Sequence, residues 1–225
     1  MHIIDLIENV VDSVRDTGII DSIVDNGNGT YNVLTTEIVE TGQWLTISNT
    51  PNFNNQYKVQ SVGIGYFVIS ETAGKIISTF GTFAANKPYY EPAKFKELAT
   101  YLTTKNYSKI QREQKFPLIL LRLNLGDENA NQLTNQCTIS GLTIFIIGAT
   151  QITSSSRFRH ENEMPILRQV EKKFMFELMK NKRVHSDVTT YGREELFNVS
   201  PANVNILTNA VMITLSNFKY DTKEC

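Results

Sequence analysis

Residues Thr138–Thr150 constrain the fold more than any other stretch of the chain. Leu142, Ile144 and Ile146 alternate there with Thr143, Phe145 and Ile147. Successive side chains of a strand point to opposite faces, so this strand is largely apolar on both sides. Such a strand belongs at the centre of a covered sheet, or has one face covered by a partner.

Three helical patterns are available to cover it. The first repeats apolar residues at Ile3, Leu6, Ile7, Val10, Val11 and Val14, with acids in its first turn and Gly18 as its stop. The second is predicted to open at Glu91-Pro92 and run to about Thr104 on the stripe Phe95, Leu98, Ala99, Leu102. The third runs from Met164 to about Lys180, with Leu167, Val170, Phe174 and Leu178 on one face and Lys172, Lys173 and Lys180 on the wet side. Two further strands are predicted beside the long one. One is Phe116–Leu125, followed by an Asn-rich loop over Gly126–Gln136; the other spans about Asn205–Asn217 and carries Leu207, Val211, Ile213 and Leu215.

Between Ile19 and Thr72 the texture changes. Ile19–Asp25 runs into Asn26-Gly27-Asn28-Gly29, a hairpin signal, and Thr30–Thr35 returns. Gln43–Ser48, Gln56–Val62 and Tyr66–Ser70 follow, separated by Asn, Pro and Gly turns. Five short strands in so few residues read as a small β-barrel or sandwich. The expectation is an α+β fold: a small mixed sheet flanked by helices, built from residues 1–17 and 73–225, with an all-β module inserted at 18–72. Residues 73–90 read as a connector.

Charge narrows the function. Lys and Arg number 22 against 23 Asp and Glu, so no global basic field exists to hold nucleic acid. Cys137 and Cys225 have no metal-ligand spacing and read as thiols in a reducing compartment. Asp5, Glu8 and Asp12 stand where a signal peptide needs an apolar run, and no stretch approaches a membrane span. Synthesis and folding in a cytoplasm, with no membrane partner, are expected.

The search for chemistry returns little. The histidines are His2, His160 and His185. Arg157-Phe158-Arg159-His160-Glu161-Asn162-Glu163 is the nearest approach to a catalytic cluster, with His160 and Glu163 three residues apart as two metal ligands on a helix would be. No second histidine or carboxylate cluster stands nearby in sequence to complete a site, so a salt-bridged helix entrance or an assembly contact is the better reading. There is no nucleophile elbow, phosphate loop or dinucleotide fingerprint. Trp44, Tyr57, Tyr66 and Phe67 could form a base-stacking platform, but only Lys58 accompanies them, so they read as core. Neither an enzyme nor a cofactor is expected. Phe145 and Ile147 on the two-faced strand, and Arg157, Phe158, Arg159 and His160, are instead the candidate subunit-interface residues.

Two stretches carry a resemblance. Thr41-Gly42-Gln43-Trp44-Leu45-Thr46-Ile47-Ser48, Asn54-Asn55-Gln56-Tyr57-Lys58-Val59 and Phe67-Val68-Ile69 resemble a small β-module of tailed-phage virion proteins. Pro88-Tyr89-Tyr90-Glu91, Phe116-Pro117-Leu118-Ile119-Leu120-Leu121, the long strand, Arg157–Asn162 ahead of Pro165-Ile166-Leu167, and the closing strand are similar to neck and tail-terminator-type proteins. The resemblance implies a virion structural protein that forms a closed ring or collar of six or twelve copies at the head–tail joint. It also implies portal or other neck and tail proteins as partners, and a DNA path enclosed without sequence-specific binding. It implies synthesis in the cytoplasm of a bacterial host and a place in the virion neck or tail. A closing ring needs a heterologous contact, for which the two-faced strand is the candidate edge. The alternatives are a head-completion or minor tail protein, or a carbohydrate- or oligonucleotide-binding adaptor module.

Overall fold

The computed structural model describes residues 2–14, 17–75, 77, 79–85, 88–93, 117–122, 128–131, 135–149, 155–186, 188, 190–199 and 208–222. The fold is α+β and mostly sheet, with three sheets among the described residues. The chain divides into two compact units: Arg15–Lys87, and Met1–Val14 together with Pro88–Cys225.

The Arg15–Lys87 unit contains β1 (Thr17–Ile20), β2 (Ser22–Asp25), β3 (Thr30–Leu34), β4 (Trp44–Ser48), β5 (Gln56–Lys58), β6 (Ser61–Gly63), β7 (Tyr66–Ser70) and β8 (Gly81–Ala85). They form two four-stranded sheets, ordered β1-β8-β4-β5 and β2-β3-β7-β6. Both sheets line one core, in which Ile20, Leu45, Ile47 and Phe83 of the first meet Ile23, Tyr31, Val33, Phe67 and Ile69 of the second. The Phe67 and Phe83 rings pack edge to face at 5.4 Å, a favoured aromatic geometry.

Two stretches expected as single strands are each divided between the sheets. Ile19–Asp25 breaks at Asp21, whose amide donates to the Leu34 carbonyl at 2.9 Å. Gln56–Val62 breaks where the Val59 amide donates to Gln43 at 2.9 Å and the next amide, of Gln60, donates to Val68 at 2.8 Å. Consecutive residues thus hand the chain from one sheet to the other. The pairing is that of two facing sheets and not of a closed barrel. The unit is also longer than 18–72, because β8, inside the expected connector, pairs with both β1 and β4. The predicted turn at residues 26–29 is present. Gly27 and Gly29 take φ of 77° and 78°, and the Gly27 amide donates to the Asp25 carboxylate at 2.7 Å.

The other unit opens with α1 (Ile3–Ser13), whose stripe of Ile3, Leu6, Ile7, Val10 and Val11 is buried as the periodicity predicts. His2 caps it: its Nδ1 accepts from the Ile4 amide at 3.3 Å, while Asp5 accepts from the His2 amide at 3.1 Å. The sheet comprises β9 (Tyr89–Ala93), β10 (Leu118–Arg122), β11 (Glu128–Asn131), β12 (Gln136–Ala149), β13 (Gly192–Val199) and β14 (Thr208–Asp221). Its order is β13-β14-β12-β10-β9, with β11 also on β12; β9 and β10 are parallel and the rest antiparallel.

The long strand β12 is central, paired with β14 along one side and with β10 and β11 along the other. Its apolar faces serve two layers of core. Ile144 and Ile146 join α1 and the long helix α2 (Met164–Lys180) in one cluster, with Leu6, Val10, Phe174, Leu178, Val211 and Ile213. Phe145 and Ile147 join Leu118, Leu120 and Ala210 on the opposite face, where Leu196 and Met212 pack against them.

Several expectations are corrected. β12 is not an edge; both of its sides are hydrogen-bonded. Glu91-Pro92-Ala93 does not open a helix but ends β9, next to the aromatic pair Tyr89-Tyr90 that favours strand. Pro92 is accommodated because β9 closes the strand order among the described residues, where a missing amide costs least. The rest of that predicted helix, with Phe95, Leu98, Ala99 and Leu102, lies outside the described residues, as do Asn205–Leu207 and Cys225. Part of the Asn-rich loop is the strand β11, and β13 was not expected. No helix among the described residues is long and apolar enough to cross a membrane.

Candidate functional site

The root of α2 gathers the polar groups that sequence reading singled out. Ser155 starts this segment: its hydroxyl accepts from the Phe158 amide at 3.1 Å, capping one helical turn over Ser156–Phe158. Arg159–Glu163 then widens into a π turn, in which the Met164 amide donates to the Arg159 carbonyl five residues back. Pro165 accounts for the widening. It has no amide to donate to the preceding turn, and its ring crowds the carbonyl four residues earlier.

The wide turn sorts the four candidates. Arg157 is exposed and paired to Glu161 at 2.8 Å, one turn on. Phe158 is also exposed, at 48% of its surface, as Phe80, Phe176 and Phe197 are. His160 is exposed, with Nδ1 3.3 Å from a terminal nitrogen of Arg168. Arg159 is buried at 4% exposure, so it belongs to the interior and not to a surface with Arg157 and Phe158. Phe145 and Ile147 are buried in the second core layer, away from solvent. The structure therefore brings Arg157, Phe158 and His160 to one exposed turn and separates the other three from it.

Beyond His160 runs a chain of ion pairs that joins α2 to β13, which among the described residues pairs only with β14. Arg168 donates to both oxygens of Glu195, at 2.7 and 2.9 Å. Arg193 donates through Nε to both oxygens of Glu171, at 2.8 and 2.9 Å, and through a terminal nitrogen to Glu195 at 2.6 Å. The Tyr191 hydroxyl donates to Glu171 at 3.0 Å. Two periodicities produce this alignment. Arg193 and Glu195 are alternate residues on one face of β13, and Arg168 and Glu171 are three apart on one face of α2. Glu171 is buried, so its two donors are what make its charge tolerable there.

The electrostatics follow from the pairing. Hydrogen bonds from Arg168 above all hold the Glu195 carboxyl down to about 2 against the opposing effect of burial. Arg168 is raised chiefly by its bonds to Glu195. For Arg193 burial pulls downward, but the hydrogen bonds to Glu195 and Glu171 outweigh it and the net shift is upward. Burial first, and then the bond to Glu171, raise Tyr191. Glu195 and the two arginines therefore keep their charges far on either side of neutrality, which suits positioning and not proton transfer. Sequence reading missed Glu171, Arg193 and Glu195. The available signal was Arg193-Glu194-Glu195 preceding Leu196 and Phe197, a charged start that reads as loop until its partners are known.

His160 and Glu163 do not form a shared centre. Glu163 accepts from the side-chain nitrogen of Asn209 at 2.6 Å, whereas His160 faces Arg168. Among the described residues no three His, Cys, Asp or Glu side chains are placed to hold a metal ion.

The aromatic platform of the Arg15–Lys87 unit is likewise dispersed. Tyr57 and Phe67 are buried and Trp44 is half-buried, while Tyr66 is exposed. The Tyr57 hydroxyl donates to Glu71 at 2.8 Å, and Lys75 pairs with the same carboxylate at 2.9 Å. Lys75 also lies 5.6 Å from the centre of the Phe53 ring, and its amide donates to the Tyr31 hydroxyl at 3.0 Å. This cluster pins residues 71–75 against the core. Compared with known protein families, with curated proteins and with solved structures, the chain finds no significant match in any of the three.

Proposed function

We propose that this chain is a structural protein of a tailed-phage virion, a tail terminator or neck subunit that forms a ring or collar at the head–tail joint. In this reading it is not an enzyme and holds no cofactor. The unit of residues 1–14 and 88–225 is the tail-terminator-like ring former, and residues 15–87 are an inserted module. The observation that carries the proposal is the exposed turn at Arg157-Phe158, whose His160 reaches Arg168 at one end of the ion-pair chain between α2 and β13. Exposed aromatic rings and arginines are what protein interfaces are enriched in. The residue pattern over most of 88–220, which resembles neck and tail-terminator-type proteins, is what supports the head–tail joint as the place of assembly, and a net charge of −1 suits a conduit that passes DNA without gripping it.

The test is mass photometry with negative-stain imaging of the purified protein, alone and mixed with purified tail tubes and portal complexes. Closed rings of six or twelve copies, free or seated at a tube end, are expected. Protein that stays monomeric and binds neither tube nor portal sinks the proposal.

A further inference from the structure

Two helix faces, α1 and α2, cover the same side of the six-stranded sheet and share its core. Their outward sides differ in sign. On α1, Asp5, Glu8 and Asp12 are exposed at a spacing of three and then four, which makes one acidic column. On α2, Lys172, Phe176, Met179 and Lys180 are exposed at spacings of four, three and one, which makes one column of lysine and apolar side chains. Phe176 is 51% exposed and Met179 45%, and the Lys180 ammonium sits 4.0 Å from the Phe176 ring centre. Lys182 and Arg183 continue the positive charge beyond the helix end.

We infer that this helical face is a self-association surface, on which the acidic column of one copy meets the lysine–phenylalanine column of a second copy. Charge complementarity selects the occupant. A patch with opposite columns side by side fits another example of itself, because each column finds its opposite whether copies are related by a two-fold axis or head to tail. The apolar pair gives the contact something to bury, since exposed ion pairs alone contribute little. Phenylalanine and methionine are side chains that interfaces favour. The inference goes beyond the ring reading, because it names the surface and the occupant and holds for any assembly of the chain with itself.

A charge-swap experiment on the full chain tests it. Self-association is measured by sedimentation velocity at low salt for wild type, for E8K/D12K, for K172E/K180E, and for an equimolar mixture of the two variants. Wild type is expected to associate, and each variant alone to associate about tenfold more weakly or worse, because attraction becomes repulsion at both columns. The mixture is expected to recover, since the acidic α2 of one variant meets the basic α1 of the other. That recovery separates a surface effect from misfolding, and F176S is expected to weaken association in the same buffer without a charge change. Added salt is expected to weaken wild-type association, because exposed charges are screened beyond about 10 Å. Wild type that stays monomeric at every concentration overturns the inference. Variants that assemble as wild type does also overturn it, and if they assemble into rings the ring reading stands while this contact falls.

Discussion

Arg168 on α2 holds the carboxylate of Glu195 on β13 with two hydrogen bonds, Nε to one oxygen at 2.7 Å and a terminal nitrogen to the other at 2.9 Å. This two-point contact ties the surface helix to an edge strand that otherwise pairs, among the described residues, only with β14. The carboxyl of Glu195 lies at about 2 instead of an ordinary 4.5. A group whose folded value is depressed contributes stability in full above its unfolded value and loses it as pH falls toward the folded one. Glu195→Gln is therefore expected to destabilise by about 1–3 kcal/mol at neutral pH, as hydrogen bonds to charged groups do. The difference from wild type should close between about pH 4.5 and 2, followed by urea melts across that range. A gap that stays constant down to pH 2 would show that the charge of Glu195 is not what stabilises the contact.

Two arginines of similar appearance are expected to differ in cost. Arg193 neutralises the buried Glu171, whose other donor is the Tyr191 hydroxyl. Arg157 pairs with Glu161 on a turn where its side chain is 85% exposed. Removing Arg193, itself partly exposed, takes the charged donor from a buried carboxylate, so Arg193→Ala should cost about 2 kcal/mol. Arg157→Ala should cost about 0.5 kcal/mol or less, as exposed pairs do. Chemical denaturation of both variants decides it, and equal losses would mean that Glu171 finds other compensation.

Much of the fold was legible because burial imposes a period. The stripe of α1 has one structural explanation, which the structure contains. The two-faced pattern of β12 leaves two, a central strand or a face covered by a partner, of which the structure contains the first. Elements at the margins were not legible. β13 carries Arg193-Glu194-Glu195 after its first residue, a composition that strands avoid unless the charges have partners, and the partners of Arg193 and Glu195 on α2 lie 22 and 27 residues earlier in the chain. β9 carries Pro92 two residues after Tyr90, so a helix-start signal and a strand signal overlap, and parallel pairing to β10 decided between them. The breaks at Asp21 and Val59 follow from how two sheets meet, which local pattern does not encode. For the candidate site, the sequence located the exposed turn at Arg157-Phe158. It did not distinguish Arg159, which the π turn directs inward.

The Tyr57–Glu71–Lys75 cluster gives a second acid-sensitive point, in the Arg15–Lys87 unit. Glu71 is held to about 2, chiefly by hydrogen bonding to Lys75 and then to the Thr72 amide. Burial, and then the bond to Glu71, raise Tyr57. Tyr57→Phe removes the hydroxyl and leaves Glu71 with its remaining donors, so a loss of about 1–1.5 kcal/mol is expected at neutral pH. Glu71→Gln is expected to remove the part of the unit's acid sensitivity that falls between about pH 4.5 and 2. The same sign argument applies as for Glu195, because both carboxyls are depressed. Acid melts of Glu71→Gln with an unchanged profile would assign that sensitivity to other groups.

Gly18 on β1 faces the ring of Phe83 so closely that an added methyl group would overlap it. Phe83 cannot yield easily, since it is 2% exposed and stacked edge-on against Phe67. A well-packed core resists an inserted methyl group by about 1–3 kcal/mol. Gly18→Ala is expected to lose stability in that range, and the loss has a local reporter. Trp44, the single tryptophan, stands in β4, which pairs with β8 in the same sheet as β1. The midpoint of its fluorescence transition should therefore fall. The buried thiol of Cys137 belongs to the other core, which shares no residue with the one around Phe83. Its labelling rate by a thiol reagent, measured in a Cys225→Ser background, should stay at the wild-type value under native conditions. An unchanged Trp44 midpoint would show that β1 moves aside without cost. A faster Cys137 reaction would show that strain at Gly18 reaches the sheet of β12.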